Sequence, residues 1–525
     1  MNDPTGDSFL LPQRTDPERL AKLVGGPQRC VVDESLSFDL TFFDSFDWRL
    51  HAAGLRLMRL VSSEGGLLRL KREDATEVVD PVESDVEPAW PAQLPGGLIR
   101  EQVAALLEMR VLLPVVSVHC RVTELRVLNE DAKTVARLQF LAMQCDSAAT
   151  QEPRMLWPRV RVLPVLGYES ECQCLVDHFA GEMEWPYAPA CVFDESVAAI
   201  GREPGDYSSK LTLKLKHQQH AVGALRKILL TLLGTIERNL AGTRANLDSE
   251  FLHDLRVATR RTRSALSQVK QVLPDSIVED YKQRFGWLGQ VTGPTRDLDV
   301  FLLELPRYRA SLPAAMAHDL DALEAHLLGT HKTEQARLKR KLGSAEMRTL
   351  LDDWRAVLEA DPPPGDPGLY ADLPIELVAA RRIWRMYRKV IKAGRAVTTD
   401  GAPEAMHELR KDCKKLRYLL EFFRSLFPDS HVKKIVRALK NLLDILGDFQ
   451  DLEVQADELR GFAAAFAPDD PARLRTVMAI GALVADLLRH QQAAHERFAG
   501  AFADFDSAGN RAEFKRLFKA EESSS

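Results

Sequence analysis

The chain has 525 residues, of which 45% are hydrophobic and 28% charged, close to the average for globular proteins. At roughly 100–200 residues per domain this predicts two to four domains, and it excludes a disordered chain, a collagen-like fibre and a stapled mini-protein. The formal net charge of −6 hides an asymmetry: residues 1–200 hold 19 Lys+Arg against 31 Asp+Glu, whereas the remainder holds 51 against 45. The span Arg381 to Arg424 alone carries 13 basic and 5 acidic residues. Such a contrast between halves marks a candidate polyanion site, and a solvated helix face is the plainer reading.

No apolar run approaches the ~18–20 residues that cross a bilayer. The stretch Met1–Leu20 carries Asp3, Asp7, Asp16 and Glu18 and lacks the basic start and apolar block of a secretory signal. A cytoplasmic protein with no membrane partner is the expectation. The seven cysteines are scattered, which argues for reduced thiols rather than a disulfide framework. Cys172-x-Cys174 is too closely spaced for a zinc knuckle and has no second pair, so no metal site is expected there.

In chain order, residues 1–30 lack periodicity and read as a loose leader. Residues 31–200 read as an α+β, β-rich domain, with strand-like runs at Val115–Val122 and Thr134–Leu141 and frequent Pro and Gly breaks. Pro204-Gly205-Asp206 is a plausible boundary. From about Lys210 the period changes to 3.6, which predicts helices over Leu211–Leu240, Ser249–Val272, Ser276–Leu288, Leu298–Arg309, Met316–Leu342 and Ala345–Leu358. These make a first helical half, 206–360. The run Asp361-Pro362-Pro363-Pro364-Gly365-Asp366-Pro367-Gly368 cannot continue a helix, so 361–374 reads as a linker. A second helical half follows over 375–519. The fold class is therefore mainly α, preceded by a smaller β-rich domain.

The two helical halves are related by a repeat at a fixed offset of 154. His253-Asp254-Leu255-Arg256 returns as His407-Glu408-Leu409-Arg410, and Asp297-Leu298-Asp299-Val300 returns as Asp451-Leu452-Glu453-Val454. Across 253–300 against 407–454 there are 14 identities in 48 ungapped positions. At 100° per residue, His253, Arg256, Arg260 and Arg263 form one row, and His407, Arg410, Lys414 and Arg417 a second. Arg261, Lys411 and Lys415 lie at the margins. Leu255, Ala258, Thr262 and Leu266, or Leu409, Cys413, Leu416 and Leu420, form the opposite packing faces.

Like charges at i,i+4 oppose helix formation, so two such rows need counter-charges. Asp297, Asp299, Asp451 and Glu453 could supply some of them, but not also for Arg385, Arg388, Lys389 and Lys392. The other source is an external, phosphate-rich polyanion, which arginine forks match bidentately. For His253 and His407, a phosphate contact and a structural hydrogen bond both stay open. A metal role would want a clustered His-x-x-x-His, which neither row has.

At these residues the sequence resembles the CHAD domain, the conserved-histidine α-helical domain, over about 211–515. The resemblance rests on His253-x-x-Arg256-x-x-x-Arg260-Arg261-x-Arg263 with Gly293 and Arg296-Asp297-Leu298-Asp299. It rests equally on His407-x-x-Arg410-x-x-x-Lys414-Lys415-x-Arg417 with Gly447 and Asp451-Leu452-Glu453. It implies two pseudo-symmetric helical bundles whose basic residues line a cleft that binds inorganic polyphosphate, and for some members location at polyphosphate granules. The binding set so implied is His253, Arg256, Arg260, Arg261, Arg263, Arg385, Arg388, Lys389, His407, Arg410, Lys411, Lys414, Lys415 and Arg417. No catalytic residue, metal ligand or cofactor is implied for this part.

Phe42–Leu50 with Ala52–Leu57, Leu68–Lys71 and Pro114–Val127 resemble parts of the CYTH domain, the triphosphate tunnel metalloenzyme fold that often precedes a CHAD domain. That family's Glu-x-Glu-x-Lys strand, which holds a divalent metal, is missing here, and Glu64, Glu73, Asp74, Glu77 and Asp80 fall in loop-like sequence. A degenerate, inactive relative is expected, with an unrelated β-rich domain as the other reading. The alternatives are a metal-dependent triphosphatase or polyphosphatase in residues 31–200, or a module for nucleic acid or phosphoproteins. The basic rows have only Tyr418 and Trp384 nearby and no interleaved aromatic platform, which counts against single-stranded nucleic acid.

Overall fold

A computed structural model describes residues 7–25, 29–72, 78–84, 87–146, 153–189, 191–360, 367–397, 403–464 and 471–519. The chain divides into two compact units, Met1–Ser208 and Ser209–Ser525.

The first unit is built on a 9-stranded antiparallel sheet. Its strands are β1 (Ser8–Leu10), β2 (Arg29–Asp44), β3 (Leu55–Ser62), β4 (Gly65–Arg72), β5 (Val78–Glu83), β6 (Leu113–Leu128), β7 (Thr134–Cys145), β8 (Arg154–Met155) and β9 (Arg159–Pro164). They lie in the order β1-β9-β7-β6-β2-β3-β4-β5, with β8 on β7. Five helices flank them: α1 (Pro17–Val24), α2 (Arg49–Ala52), α3 (Leu98–Leu107), α4 (Glu169–Asp177) and α5 (Phe193–Ala199).

The central strands bury different faces along their length. In β6, Val116, Val118 and Cys120 enter one core cluster with Phe193 and Val197 of α5. The phase then switches, and Leu125 and Val127 enter another with Leu20 of α1 and Leu175 of α4. Successive side chains point to opposite faces, so even positions serve one face and odd positions the other. Helices thus cover both sides of one sheet. Leu57, Leu68 and Leu70 of β3 and β4 pack in a third cluster against Ile99, Val103 and Leu107 of α3.

Within the stretch 1–30 that reads as a loose leader, the described residues 7–25 are ordered onto the sheet. β1 pairs with β9, Phe9 and Leu11 are buried, and α1 begins at Asp16, whose side chain accepts from the Arg19 amide at 2.7 Å. A three-residue strand is too short to display a period. β2 ends in a turn organised by Asp44, whose carboxylate accepts from the backbone N–H groups of Ser45, Leu50 and His51 at 2.7–2.9 Å. Glu64 lies in the β3–β4 turn, whereas Glu73, Asp74, Glu77 and the Asp80 side chain lie outside the described residues. The seven cysteines are free thiols.

The second unit is helical: α6 (Ala221–Ala245), α7 (Ser249–Gln268), α8 (Asp275–Ser311), α9 (Asp321–Leu342), α10 (Ala345–Glu359), α11 (Ile375–Ala396), α12 (Pro403–Phe422), α13 (Asp429–Ala464), α14 (Pro471–Phe505) and α15 (Ala508–Phe518). The starts of α6, α7 and α8 recur as those of α11, α12 and α13 at the same offset of 154. α7 packs on α12, its own counterpart, as at a self-complementary two-fold contact.

Both halves share their cores. Leu255, Ala258 and Phe285 of the first half and Leu409, Leu416 and Leu439 of the second belong to one cluster. A second cluster joins Leu298, Phe301 and Leu305 of α8 to Leu452, Ala456 and Leu459 of α13, with Leu323 of α9 and Leu483 of α14. α8, 37 residues and about 55 Å long at 1.5 Å per residue, therefore runs through both clusters, as does α13.

Two stretches depart from the helices that periodicity predicts. Residues 211–220 are not helical, because Leu211, Leu213 and Leu215 alternate at period two and lay an extended segment on the core. The two helices expected over 276–288 and 298–309 are one, since Pro294 removes only one backbone donor from a helix anchored at both ends. Residues 361–366 of the Pro-rich linker lie outside the described residues, and the chain re-enters α11 through the backbone bonds Ala221 N–H to Leu373 O and Tyr370 N–H to Gln271 O. Among the described residues, no helix is long and apolar enough to cross a membrane.

Candidate functional site

Five of the eight row residues, His253, Arg256, Arg260, Arg410 and Lys414, line one cleft of the helical unit. α7 is capped by Asp248, whose carboxylate accepts from the amides of Glu250 and Phe251 at 2.9 and 3.1 Å. The buried stripe Leu255, Ala258, Thr262 and Leu266 fixes its rotation, and Leu409, Cys413, Leu416 and Leu420 do the same for α12. With those faces inward, the opposite faces meet a cleft of about 830 Å³ between α7, α8, α12, α13 and α14. His253, Arg256 and Arg260 line it from the first half and Arg410 and Lys414 from the second. Arg263 continues the row into an adjoining pocket of about 320 Å³ that shares Arg256 and Arg260.

The cleft is of mixed charge with a basic surplus. Seven arginines and lysines line it against five acids, Asp297, Glu304, Asp448, Asp451 and Glu458. Glu304 pairs with Arg307 at 3.0 Å, and Asp448 with Arg497 at 3.1 Å. Arg410 gives its Nη2 to both oxygens of Asp451 at 2.9 Å. Arg256 instead bonds neutral acceptors, the Gly289 carbonyl at 3.2 Å and the Thr292 hydroxyl at 3.1 Å. Among the described residues, Arg260, Arg263 and Lys414 form no ion pair, although the Asp451 carboxylate attracts Lys414 from a distance.

Burial sets the electrostatics. It pulls the Lys414 ammonium down to about 8; the neighbouring charges of Arg410, Arg260 and Arg417 add to the effect, and Asp451 opposes it. It also lowers Arg256, against the attraction of Asp297. Burial raises the Asp297 carboxyl despite Arg256 and Arg296, and raises Glu458, which Asp297 also faces. A partly dehydrated pocket with unmatched cations favours an anionic guest.

The two histidines are used differently. Arg296 donates its Nη2–H to Nδ1 of His253 at 3.0 Å. At the equivalent place in the second half the partner is Gln450, and Nδ1–H of His407 donates to its Oε1. Each histidine ties the start of its row to the next helix. His253 lines the cleft, whereas His407 is not among its lining residues.

The remaining sequence-predicted residues lie elsewhere. Arg261, about 100° around α7 from Arg260, pairs with Glu421 at 2.9 Å and bonds the Ser209 carbonyl. Arg417 pairs with the same Glu421 at 2.7 Å. Lys411 pairs with Glu408, and Lys415 with Asp412. Arg385, Arg388 and Lys389 face a separate groove on α11 and α15, where Lys389 reaches Asp412 at 2.8 Å. Of the four repeat acids, Asp299 is taken by His331 of α9 at 2.8 Å. The cleft also uses Arg307, Glu458 and Arg497, which sequence reasoning missed. Arg497 comes from α14, outside the repeated segment, and nothing local marks it.

Gly293 and Gly447 lie beneath the row arginines: a Cβ there would touch Nη1 of Arg256 or Nη2 of Arg410 at 3.6 Å. The guanidinium groups therefore rest directly on the backbones of α8 and α13. Residues 227–460 match the family model of the CHAD domain, from within α6 to within α13. The chain carries a CHAD domain. The match spans every row residue of α7 and α12 and leaves out the α14 wall of the cleft.

No curated protein matches the chain. Among solved structures, the CHAD domain from the plant Ricinus communis is 24% identical, with a TM-score of 0.45, over 58% of this chain and 96% of its own. PptA from Streptomyces chartreusis is 18% identical, with a TM-score of 0.42, over 54% and 99%. A proposed adenylate cyclase from Bacillus halodurans is 9% identical, with a TM-score of 0.23, over 36% and 93%. Among the described residues, no group of three or more His, Cys, Asp or Glu is placed to hold a metal ion.

Proposed function

We propose that the CHAD domain binds inorganic polyphosphate along the cleft between the α7 and α12 rows. One observation carries this reading: Arg260, Arg263 and Lys414, drawn from both halves of the repeat, reach one cleft and its adjoining pocket without forming an ion pair among the described residues. A polyphosphate strand offers closely spaced oxyanions and no bases, so it needs forked and point-charge donors and no stacking surface. Each charge-assisted contact contributes roughly 1.5–3 kcal/mol before solvent screening. Arg256 and Arg410 are the second rank of ligands, Arg410 once Asp451 is displaced. Location at polyphosphate granules follows from the same binding.

The first unit, on this reading, is a CYTH-like domain without a working metal centre; β1, Ser8-Phe9-Leu10, carries no carboxylate. Phosphate release from tripolyphosphate with Mg²⁺ or Mn²⁺ would overturn that part alone. The binding claim is tested by titrating polyphosphate into the wild-type chain and into Arg260→Ala with Lys414→Ala. The expected loss is about tenfold to a hundredfold, with affinity falling steeply as salt rises. Unchanged affinity in the folded double variant, or equal displacement by DNA of matched charge, overturns it.

A further inference from the structure

The groove on α11 and α15 does not belong to the cleft. It measures about 790 Å³, and no acidic side chain lines it among the described residues. Arg385, Arg388, Lys392 and Arg395 follow one another at spacings of three and four along α11, a single stripe about 15 Å long at 1.5 Å per residue. Lys515 of α15 stands on the other wall. Arg395 is held by Asp506 at 2.8 Å, but Arg385, Arg388, Lys392 and Lys515 have no acidic partner among the described residues.

Two further observations mark this groove as built for a guest. The floor is apolar, formed by Trp384, Tyr387 and Ile391, and among the described residues the buried hydroxyl of Tyr387, a residue only 4% exposed, has no hydrogen-bond partner. The stripe is also a departure from the repeat. At the offset of 154, Arg385, Arg388, Lys389 and Arg395 correspond to Thr231, Gly234, Thr235 and Ala241 of α6, and only Lys392 meets another cation, Arg238. Like charges along one helix face oppose its stability, so the cationic stripe of the second half is locally unfavourable while empty.

We propose that this groove is a docking site for an acidic amphipathic segment of a partner protein, with its carboxylates on the α11 stripe and its apolar side chains on the Trp384–Tyr387–Ile391 floor. Polyphosphate has nothing to place on an apolar floor. Single-stranded nucleic acid wants a free aromatic face. The Tyr387 ring is already stacked on Phe514 at 3.8 Å and 9°, and Trp384 leans on Tyr387 at 5.6 Å. A helix carrying Glu at i, i+3 and i+7 repeats its carboxylates at the rise of the stripe itself and turns an apolar ridge to the floor. The proposal is independent of the polyphosphate reading, because its residues lie outside the cleft.

The test uses the full chain and dye-labelled 15-residue peptides read by fluorescence anisotropy. One peptide carries Glu on one helical stripe and Leu on the adjacent one; a second has Ser in place of Leu; a thymidine 15-mer and polyphosphate complete the set. The Glu/Leu peptide is expected to bind at least tenfold tighter than the Glu/Ser peptide. Lys392→Gln with Lys515→Gln, both at exposed positions, is expected to weaken it at least tenfold and to leave polyphosphate titration and the unfolding midpoint unchanged; Arg388→Gln should weaken peptide binding in the same direction. Equal binding of the two peptides, tighter binding of the thymidine oligomer, an unaffected double variant, or an equal loss of polyphosphate affinity overturns the proposal. Failure of polyphosphate to bind the wild type leaves the peptide outcomes readable, so the two readings fail separately.

Discussion

Arg410 and Asp451 form an ion pair inside the cleft, with Nη2 of the arginine 2.9 Å from both carboxylate oxygens. The equivalent Arg256 has no such bond to Asp297 and lies on the Thr292 hydroxyl and the Gly289 carbonyl. The reason is in the sequence: Leu446 and Leu443 stand where the first half has Thr292 and Gly289, so Arg410 has no hydroxyl to accept its N–H. The two halves thus present one arginine held by neutral groups and one held by an acid.

On the polyphosphate reading, Asp451 competes with the ligand. Asp451→Asn should release Arg410 and tighten polyphosphate binding about threefold to tenfold. Isothermal titration at fixed salt measures it; weaker binding would mean that Asp451 orients the arginine rather than occupies it.

Lys414 gives the binding a pH dependence. Its ammonium, at about 8 instead of 10.5, loses charge as the pH rises through that value. Affinity for polyphosphate should therefore decline between about pH 7 and 9 in the wild type. Lys414→Arg, which keeps its charge, should flatten the decline. Titrations at constant ionic strength across that range decide the matter.

Asp44 sets a slope in stability. Burial pushes its carboxyl up to about 6, against the three backbone N–H groups that favour the anion. The folded value exceeds the unfolded 3.8, so the folded chain holds the extra proton between the two. This contribution is full below the unfolded value and is lost as the pH rises through about 6. Asp44→Asn cannot titrate, and urea midpoints followed from about pH 4 to 7 should lose that component of their slope.

Gly394 of α11 lies against the ring of Phe502 of α14. A Cβ there would lie 1.9 Å from Cε2 of Phe502, a largely buried ring. Gly394→Ala should cost about 1–3 kcal/mol in overpacking, more than the ~1 kcal/mol that alanine adds in helix propensity. A lowered urea midpoint with an unchanged slope is the expected result; a raised midpoint would show that the ring moves aside freely.

Five of the residues that the repeat singles out line one cleft. Rows at 100° per residue placed His253, Arg256, Arg260, Arg410 and Lys414 together, because helix geometry and the buried stripe opposite leave one outward direction. Less legible was whatever depends on a partner distant in the chain. Charge density around Arg385 does not say which side of a helical unit it faces, and Arg497 enters the cleft through the course of α14 alone. Leu211–Leu215 misled because leucine alternating with polar residues beside a long helix looks like its first turns. Pro294 misled in the opposite sense, since packing at both ends of α8 outweighs one lost backbone bond.

Because α7 meets α12 and a single apolar cluster draws on both halves, neither half can close its own interior. A fragment ending at the linker would leave Leu255, Ala258 and Phe285 facing water. Its nearest remedy is a second copy of itself, since the surface it lost was a relative of the one it keeps. Cut at the prolines, the duplicated chain should behave as an obligate dimer.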